Sequence, residues 1–334
     1  MLAVLLVVPL ASACAGRVKA PYGVGKAPQP QELIDRTPTP LTALQVPKAK
    51  VRLRGLSATL MYAAQGPDRF KGTISVAGNE LVTLGVHEQS YGLRYLSDEG
   101  LAPGYYHGPP SSCAVASLVG VALNPDELVE LLLGGAPVLP GTTEVISQRW
   151  DKKHGNEVLR IGNGQREQEL RFAWEGGEWV VAGVAMFQVV QGGKAAWMWT
   201  VRHEKFHRVG GFTLPAKTVI RRPTPKGDET LTIRYVDQKP NPPALMTQSG
   251  GDGGGDDGGG DDAGPDTWDD DGGGWDDEGW EDEDEAGNVP DGVDPPEGSG
   301  PAPTPAGRGP IPPVFQVDGT GLTDRGDLCG GGGS

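Results

Sequence analysis

The chain has 334 residues, 37% of them hydrophobic and 22% charged, with a formal net charge of -15. The acid is concentrated: residues 249–300 hold 20 Asp and Glu and no Lys or Arg, whereas residues 1–248 carry 27 basic and 21 acidic residues, a net of +6. That split implies a mildly basic folding unit followed by a polyanion, which excludes nucleic acid as a partner of the acidic end, and three cysteines exclude a disulfide-rich scaffold.

The first ten residues, Met1 to Leu10, are an apolar run that leads through Ala11-Ser12-Ala13 to Cys14. A helix needs about 20 apolar residues to cross a bilayer, so a run this short reads as the core of a signal peptide covering 1–13. Small residues before a cysteine resemble the lipobox of bacterial lipoproteins. That resemblance implies lipidation of Cys14 with diacylglycerol and palmitate, and a membrane partner reached through the N-terminal lipid. Ala11-Ser12-Ala13 also satisfies the A-x-A rule for plain secretion, which stays open as the alternative. Residues 14–30, with Pro21, Gly23, Gly25, Pro28 and Pro30, read as a lipid-anchored flexible stalk. Gln31 to Asp35 starts a short helix that Thr37-Pro-Thr-Pro40 interrupts.

From Ala49 the hydrophobic period becomes two, in Val51 and Leu53 and then, in shifted phase after Gly55, in Leu56, Ala58, Leu60 and Tyr62. These are half-buried antiparallel strands, and the phase change suggests a bulge at Gly55. The same alternation predicts strands over 69–78, 80–87 and 91–95, each bounded by Gly, Asn, Asp or Ser. Residues 112–121 are helical in composition, and a second helix follows from Asn124: Asn124 caps it, Pro125 opens it, Asp126 and Glu127 favour its positive end, and Gly134-Gly135 stops it. Strands resume over 143–150, 156–161, 167–174, 179–190, 195–203, 212–221 and 229–236, joined by turns such as Glu175-Gly-Gly and Gln191-Gly-Gly. The fold class is mainly β within α+β: one curved antiparallel sheet around a helical insert, spanning 31–248.

His203-Glu-Lys-Phe-His207 matches H-E-x-x-H, the signature in which two histidines one helical turn apart bind zinc and the glutamate acts as base. Gly210 fits the extended form, but its third ligand position falls on Thr213, and Glu229 is a more distant carboxylate. The approach from Trp197 alternates like a strand, where residues four apart stand about 13 Å from each other, too far for one ion. The sequence therefore reads as a strand end with surface histidines, His203 and His207 being the weak metal candidates, and zinc metalloprotease the distant alternative. No nucleophile elbow, phosphate loop or dinucleotide fingerprint appears, so neither catalysis nor a cofactor is expected.

Cys113 and Cys329 are able to pair in an oxidising compartment, yet Cys329 lies in a Gly-rich end with no evident partner surface, and Cys113 reads by preference as a buried small hydrophobe. From Ser249 to the end the Gly, Asp and Pro content predicts a disordered acidic tail. Its Trp268, Trp275 and Trp280 point to docking on a basic partner surface as the alternative to a solvated tail, and no EF-hand spacing is present.

The order of a helix, a long first strand, hairpins, a helical insert ending in a Leu-rich turn, more hairpins and a closing Tyr-Val-Asp strand resembles the LolA/LolB superfamily of lipoprotein localisation factors. The residues that carry it are Lys50-Val-Arg-Leu-Arg-Gly55, Gly104-Tyr-Tyr-His-Gly108, Asn124 to Gly134, Gly211-Phe-Thr-Leu-Pro215 and Leu231 to Asn241, within a span of about 31–245. The resemblance implies an unclosed half-barrel whose apolar cavity binds acyl chains or lipoproteins without catalysis. It also implies a LolB-like outer-membrane lipoprotein facing the periplasm. Strand alternation nominates Leu60, Ile74, Phe172, Trp174, Met186, Trp197 and Trp199 as cavity residues, with a packed core as the other reading of the same pattern. The alternative function is a structural or adaptor envelope lipoprotein whose acidic tail makes the contacts.

Overall fold

Two meanders of strands meet along one ladder to make a single 14-stranded sheet. The computed structural model describes residues 17–53, 55–97, 101–141, 143–190, 192–225, 227–246 and 313–330. Cys14 and the acidic segment with Trp268, Trp275 and Trp280 lie outside them. The chain divides into one unit of 1–246 with 310–334 and a second, Thr247–Gly309, which also lies outside the described residues.

The first meander is β1 (Ala43–Leu53), β2 (Leu56–Gln65), β3 (Arg69–Val76), β4 (Asn79–His87), β5 (Ser90–Tyr95) and β6 (Gly104–Gly108). The second is β7 (Glu144–Asp151), β8 (Asn156–Gly162), β9 (Arg166–Glu175), β10 (Glu178–Val189), β11 (Ala195–Val209), β12 (Phe212–Thr224) and β13 (Gly227–Pro240). Antiparallel pairing of β1 with β13, Val51 opposite Ile233, joins them. A short β14 (Asp324–Gly326) adds to β6 in parallel. The sheet order runs from β14 and β6 at one edge to β7 at the other, so the sheet is unclosed.

Several hairpins turn on two residues with positive φ. Gly176 and Gly177, at φ 60 and 94, connect β9 to β10, the conformation that matches the twist of antiparallel strands. Gly55, at φ 81, serves the same purpose: Leu53 pairs directly with Leu56, so the phase change expected to mark a bulge is a chain reversal. The bulge of β1 lies instead beside Pro47, between the pairs Val46–Tyr62 and Ala49–Leu60. A residue without an N–H fits such a break in the ladder.

Because β6 and β7 stand at opposite ends of the sheet order, the chain between them must cross the inner face, and it carries two helices there, α2 (Ser112–Val119) and α3 (Pro125–Leu132). We number Pro30–Ile34 as α1 and Pro243–Met246 as α4. The Ser111 side chain accepts from the Ala114 N–H at the start of α2, and Gly120 at φ 78 ends it. At the start of α3 the Asn124 N–H donates to Glu127 Oε2 at 2.8 Å. Leu118, Leu128, Val129 and Leu131 are buried against the inner face, each burial stabilising by about 2 kcal/mol gross. No described helix is long and apolar enough to cross a membrane.

Both flanks of the expected domain are more ordered than composition suggests. The stretch read as a flexible stalk is docked from residue 18: the Val18 N–H donates to Lys152 O, Trp150 Nε1 to Val18 O and Gln148 Nε2 to Pro28 O. Tyr22 donates to the buried Glu157 carboxylate and packs on Trp150 and Trp179, ring centroids 6.1 and 6.3 Å away. This segment covers the inner face at the β7–β10 end.

Residues 313–330, expected within the disordered tail, pack on the sheet. Phe315 is buried with Ala43, Ala63 and Leu245, and the strap then crosses Gly85 and Gly92, where a Cβ would lie 2.5 Å from Phe315 O and 3.3 Å from Val317 Cβ. Beyond β14, Cys329 forms a disulfide with Cys113 of α2, their Cα atoms 5.8 Å apart. Cys113 is thus an exposed, bonded residue and not the buried thiol expected. The partner surface that the Gly-rich sequence does not advertise is the edge strand β6.

Candidate functional site

The inner face of the sheet and the underside of α2 and α3 enclose a narrow apolar cavity of about 30 Å³. Its 18 lining side chains include no Lys, Arg, Asp or Glu. On one side stand Val51, Leu60, Phe70 and Ile74 of β1–β3, and on the other Val201, Ile220, Leu231 and Ile233 of β11–β13. Strand alternation turns each of these inward. The lid contributes Leu118 and Val119 of α2, Leu123 of the connection, and Leu128, Leu131 and Leu132 of α3. Lid side chains reach far into the cup, and the part of it wide enough for a water molecule is small.

Four polar residues interrupt this lining, and all sit at inward positions of neighbouring strands: Tyr62 on β2, Tyr235 on β13, Thr218 on β12 and His203 on β11. The Tyr235 hydroxyl donates to Thr218 Oγ1 at 3.0 Å, and Thr218 Oγ1 lies 2.9 Å from His203 Nδ1. A threonine hydroxyl has one proton and two lone pairs, so Thr218, accepting from Tyr235, holds Nδ1 in either imidazole tautomer. His203 Nε2 is buried without a hydrogen-bond partner, whereas the buried Tyr62 hydroxyl interacts with that of Tyr235. Burial pushes the imidazole down to about 4 and the Tyr62 phenol well above its usual value, so both groups are neutral near pH 7.

The residues nominated from sequence separate into three groups. Leu60 and Ile74 line the cavity. Phe172, Met186 and Trp199 are buried in the same core but do not line the cavity; the segment that precedes β7 is held by Gln168 of β9, which accepts from the Leu139 N–H and donates to Pro137 O. Trp174 and Trp197 belong to neither. Trp174 is 44% exposed beside the β9–β10 turn, edge-on to Trp179 at 5.0 Å. Trp197 leaves the inward phase because Met198 is an extra residue between the pairs Met186–Trp199 and Phe187–Trp197. Its indole donates to Thr200 Oγ1, and Arg221 lies over its ring at 5.6 Å.

His203-Glu-Lys-Phe-His207 lies entirely on strand β11. His207 is exposed, but His203 is 4% exposed and faces the cavity, which corrects the expectation of two surface histidines. Among the described residues no group of three or more His, Cys, Asp or Glu is arranged to hold a metal ion. The charged side chains of β11 and β12 pair outside the cavity, as in Glu204 with Arg202 at 2.5 Å and with Lys217 at 3.2 Å. The polar strip across the cup was missed at the level of sequence, although Tyr62, Thr218 and Tyr235 all fall on inward phases of predicted strands.

The architecture defines an open antiparallel cup with a helical lid. No protein-family model and no curated protein matches this chain. Among solved structures it is similar to a LolA superfamily protein from Nitrosomonas europaea at 12% identity, over 64% of this chain and 94% of that one, with a TM-score of 0.39. A domain named as an outer membrane lipoprotein-sorting protein from Vibrio parahaemolyticus is similar at 9% identity, over 63% and 90%, with a TM-score of 0.40. A DUF1329 family protein from Desulfovibrio piger is similar at 8% identity, over 63% and 89%, with a TM-score of 0.41.

Proposed function

We propose that this protein is an exported lipoprotein, anchored in the outer membrane through Cys14, that receives acyl chains or lipoproteins in the cup without catalysing a reaction. The observation that carries the reading is the charge-free apolar cavity between a sheet and a lid held at its ends by capping and a disulfide. Hydrocarbon gains about 0.8 kcal/mol per CH₂ on leaving water for such surroundings, so binding of an acyl chain needs no chemistry beyond burial. Export agrees with the Cys113–Cys329 disulfide, because such bonds persist in oxidising compartments. With residue 18 already docked on β7, the chain from Cys14 has a reach of only about 14 Å, which would hold the β7 end of the cup close to the bilayer.

One observation favours the second reading, a structural or adaptor lipoprotein with a packed core: the lid side chains fill most of the cup. The first reading therefore requires α2 and α3 to move outward as cargo enters. Two experiments test it. Palmitate labelling should be lost on Cys14→Ala; retained labelling removes the anchor. Lipid extraction from purified protein should yield acyl chains at near one equivalent per chain; a lipid-free cup that takes up no added lipid supports the packed core.

A further inference from the structure

The rim of the sheet where the N-terminal segment docks carries an aromatic and cationic patch that the cavity does not use. Tyr22, Trp150, Trp179 and Trp174 form a run of ring contacts there, Trp179 lying 6.5 Å from Trp150 and 5.0 Å edge-on to Trp174. The patch opens to solvent: Trp174 is 44% exposed, and Val18, whose backbone bridges Trp150 and Lys152, is 45% exposed. A half-exposed indole leaves apolar area hydrated in water, whereas at the boundary between acyl chains and headgroups its ring is buried and its N–H stays near water. Four cations flank these side chains: Arg17 and Lys19 on either side of Val18, and Lys152 and Lys153 in the β7–β8 turn that Val18 contacts. All four are exposed, and none has an ion-pair partner among the described residues. The neighbouring acids are engaged. Asp151 is held by His154 at 2.7 Å and Arg171 at 3.4 Å, the buried Glu157 accepts from Tyr22, and Glu178 faces Arg208 at 3.6 Å. Glu175 is the acid that remains, so the patch is net positive.

We infer that this rim is a membrane-contact surface, receiving anionic phospholipid headgroups on Arg17, Lys19, Lys152 and Lys153 and the outer part of the acyl layer on Val18 and Trp174. The inference rests on the reading that residue 14 is held at a bilayer, and it names the side of the fold that faces the lipid. Chain length favours a bilayer as the occupant. Cys14 precedes Arg17 by three residues, and the reach from Cys14 to the docked residue 18 is about 14 Å. A surface so close to its tether meets the bilayer at high effective concentration, so contacts that are weak singly suffice. Charge favours the same occupant, because a basic patch is the second signal that makes attachment through lipid chains stable. The net charge of -15 does not oppose this. Attraction to an anionic surface falls off within a Debye length, about 8 Å at physiological ionic strength, so the charges within reach of the headgroups decide.

The test removes the tether and keeps the rest of the chain. Full-length Cys14→Ala should sediment with vesicles of phosphatidylethanolamine and phosphatidylglycerol, and more weakly with vesicles of phosphatidylcholine. Lys152→Gln and Lys153→Gln, each made in that background, should lower the partition coefficient on the anionic vesicles by about fivefold, the scale of one basic residue near such a surface. Both side chains are exposed in a turn, so the variants keep the fold. A second measurement uses the lipidated protein in vesicles whose phosphatidylglycerol carries brominated acyl chains. Tryptophan fluorescence should be quenched, and Trp174→Phe should remove most of the quenching. Equal sedimentation with the two kinds of vesicle, sedimentation unchanged in the lysine variants, or no sedimentation of Cys14→Ala with either would overturn the contact surface. Absence of quenching in the anchored protein, or the same quenching in Trp174→Phe, would overturn it as well. The anchor is decided separately by palmitate labelling, because sedimentation of Cys14→Ala reads the rim without it.

Discussion

Acidification should destabilise this protein through one buried histidine, and the size of the effect follows from its surroundings. His203 titrates at about 4 in the folded chain because burial disfavours the imidazolium, against an ordinary 6.5 once unfolded. Below pH 6.5 the unfolded chain takes up a proton that the folded chain refuses until about pH 4. The stability that the neutral imidazole secures is therefore complete above pH 6.5 and declines as pH falls through that window. The full difference is about 3 kcal/mol, and about 2.5 kcal/mol of it is lost between pH 7.5 and pH 4.5. Urea midpoints of wild type and His203→Gln at those two pH values isolate the effect, because every other titrating group is common to both. Wild type should lose about 1 M more in midpoint than the variant on acidification. Parallel loss in the two proteins would refute the placement of a neutral imidazole inside the cup.

Other consequences concern packing and the strap. Phe172→Ala should cost about 4 kcal/mol in urea denaturation, since its ring is fully buried. Trp174→Ala, at a site 44% exposed, should cost about 1 kcal/mol or less, although sequence alternation gives the two the same status. Reduction of Cys113–Cys329, or Cys113→Ser, opens a link across 216 residues and should lower stability by up to about 5 kcal/mol on the chain-entropy account; an unchanged midpoint would show that the strap holds without it. Gly85→Val should displace the strap, because the glycine leaves room only for a hydrogen beneath Phe315 O, and hydrogen exchange should then accelerate in 313–330 before the rest of the sheet.

Much of the fold is legible in the sequence because antiparallel strands with one buried face write their period directly. The limits of β3, β4, β5 and β8 follow from alternation and turn residues to within about two positions. What escapes has no such period. β14 is three residues long and pairs in parallel, and its signal is drowned by glycine. The strap is recognisable only from the other side, in Gly85 and Gly92 of β4 and β5, whose missing side chains make its bed. Cys113 and Cys329 are too far apart in sequence for spacing to pair them. Trp197 was misplaced by a bulge at Met198 that alternation cannot anticipate. The candidate site was half legible: Leu60 and Ile74 follow from phase, whereas the polar strip hides among residues that each look ordinary alone.

The central claim is that the cup admits an acyl chain beneath its lid. Photo-crosslinking of the full-length protein with a diazirine-bearing palmitoyl ester, followed by peptide mapping, tests it most directly. The account predicts adducts within 60–74 and 118–132, suppressed when Leu131→Trp fills the space under α3. Adducts confined to the outer face, or the same pattern in Leu131→Trp, would contradict it.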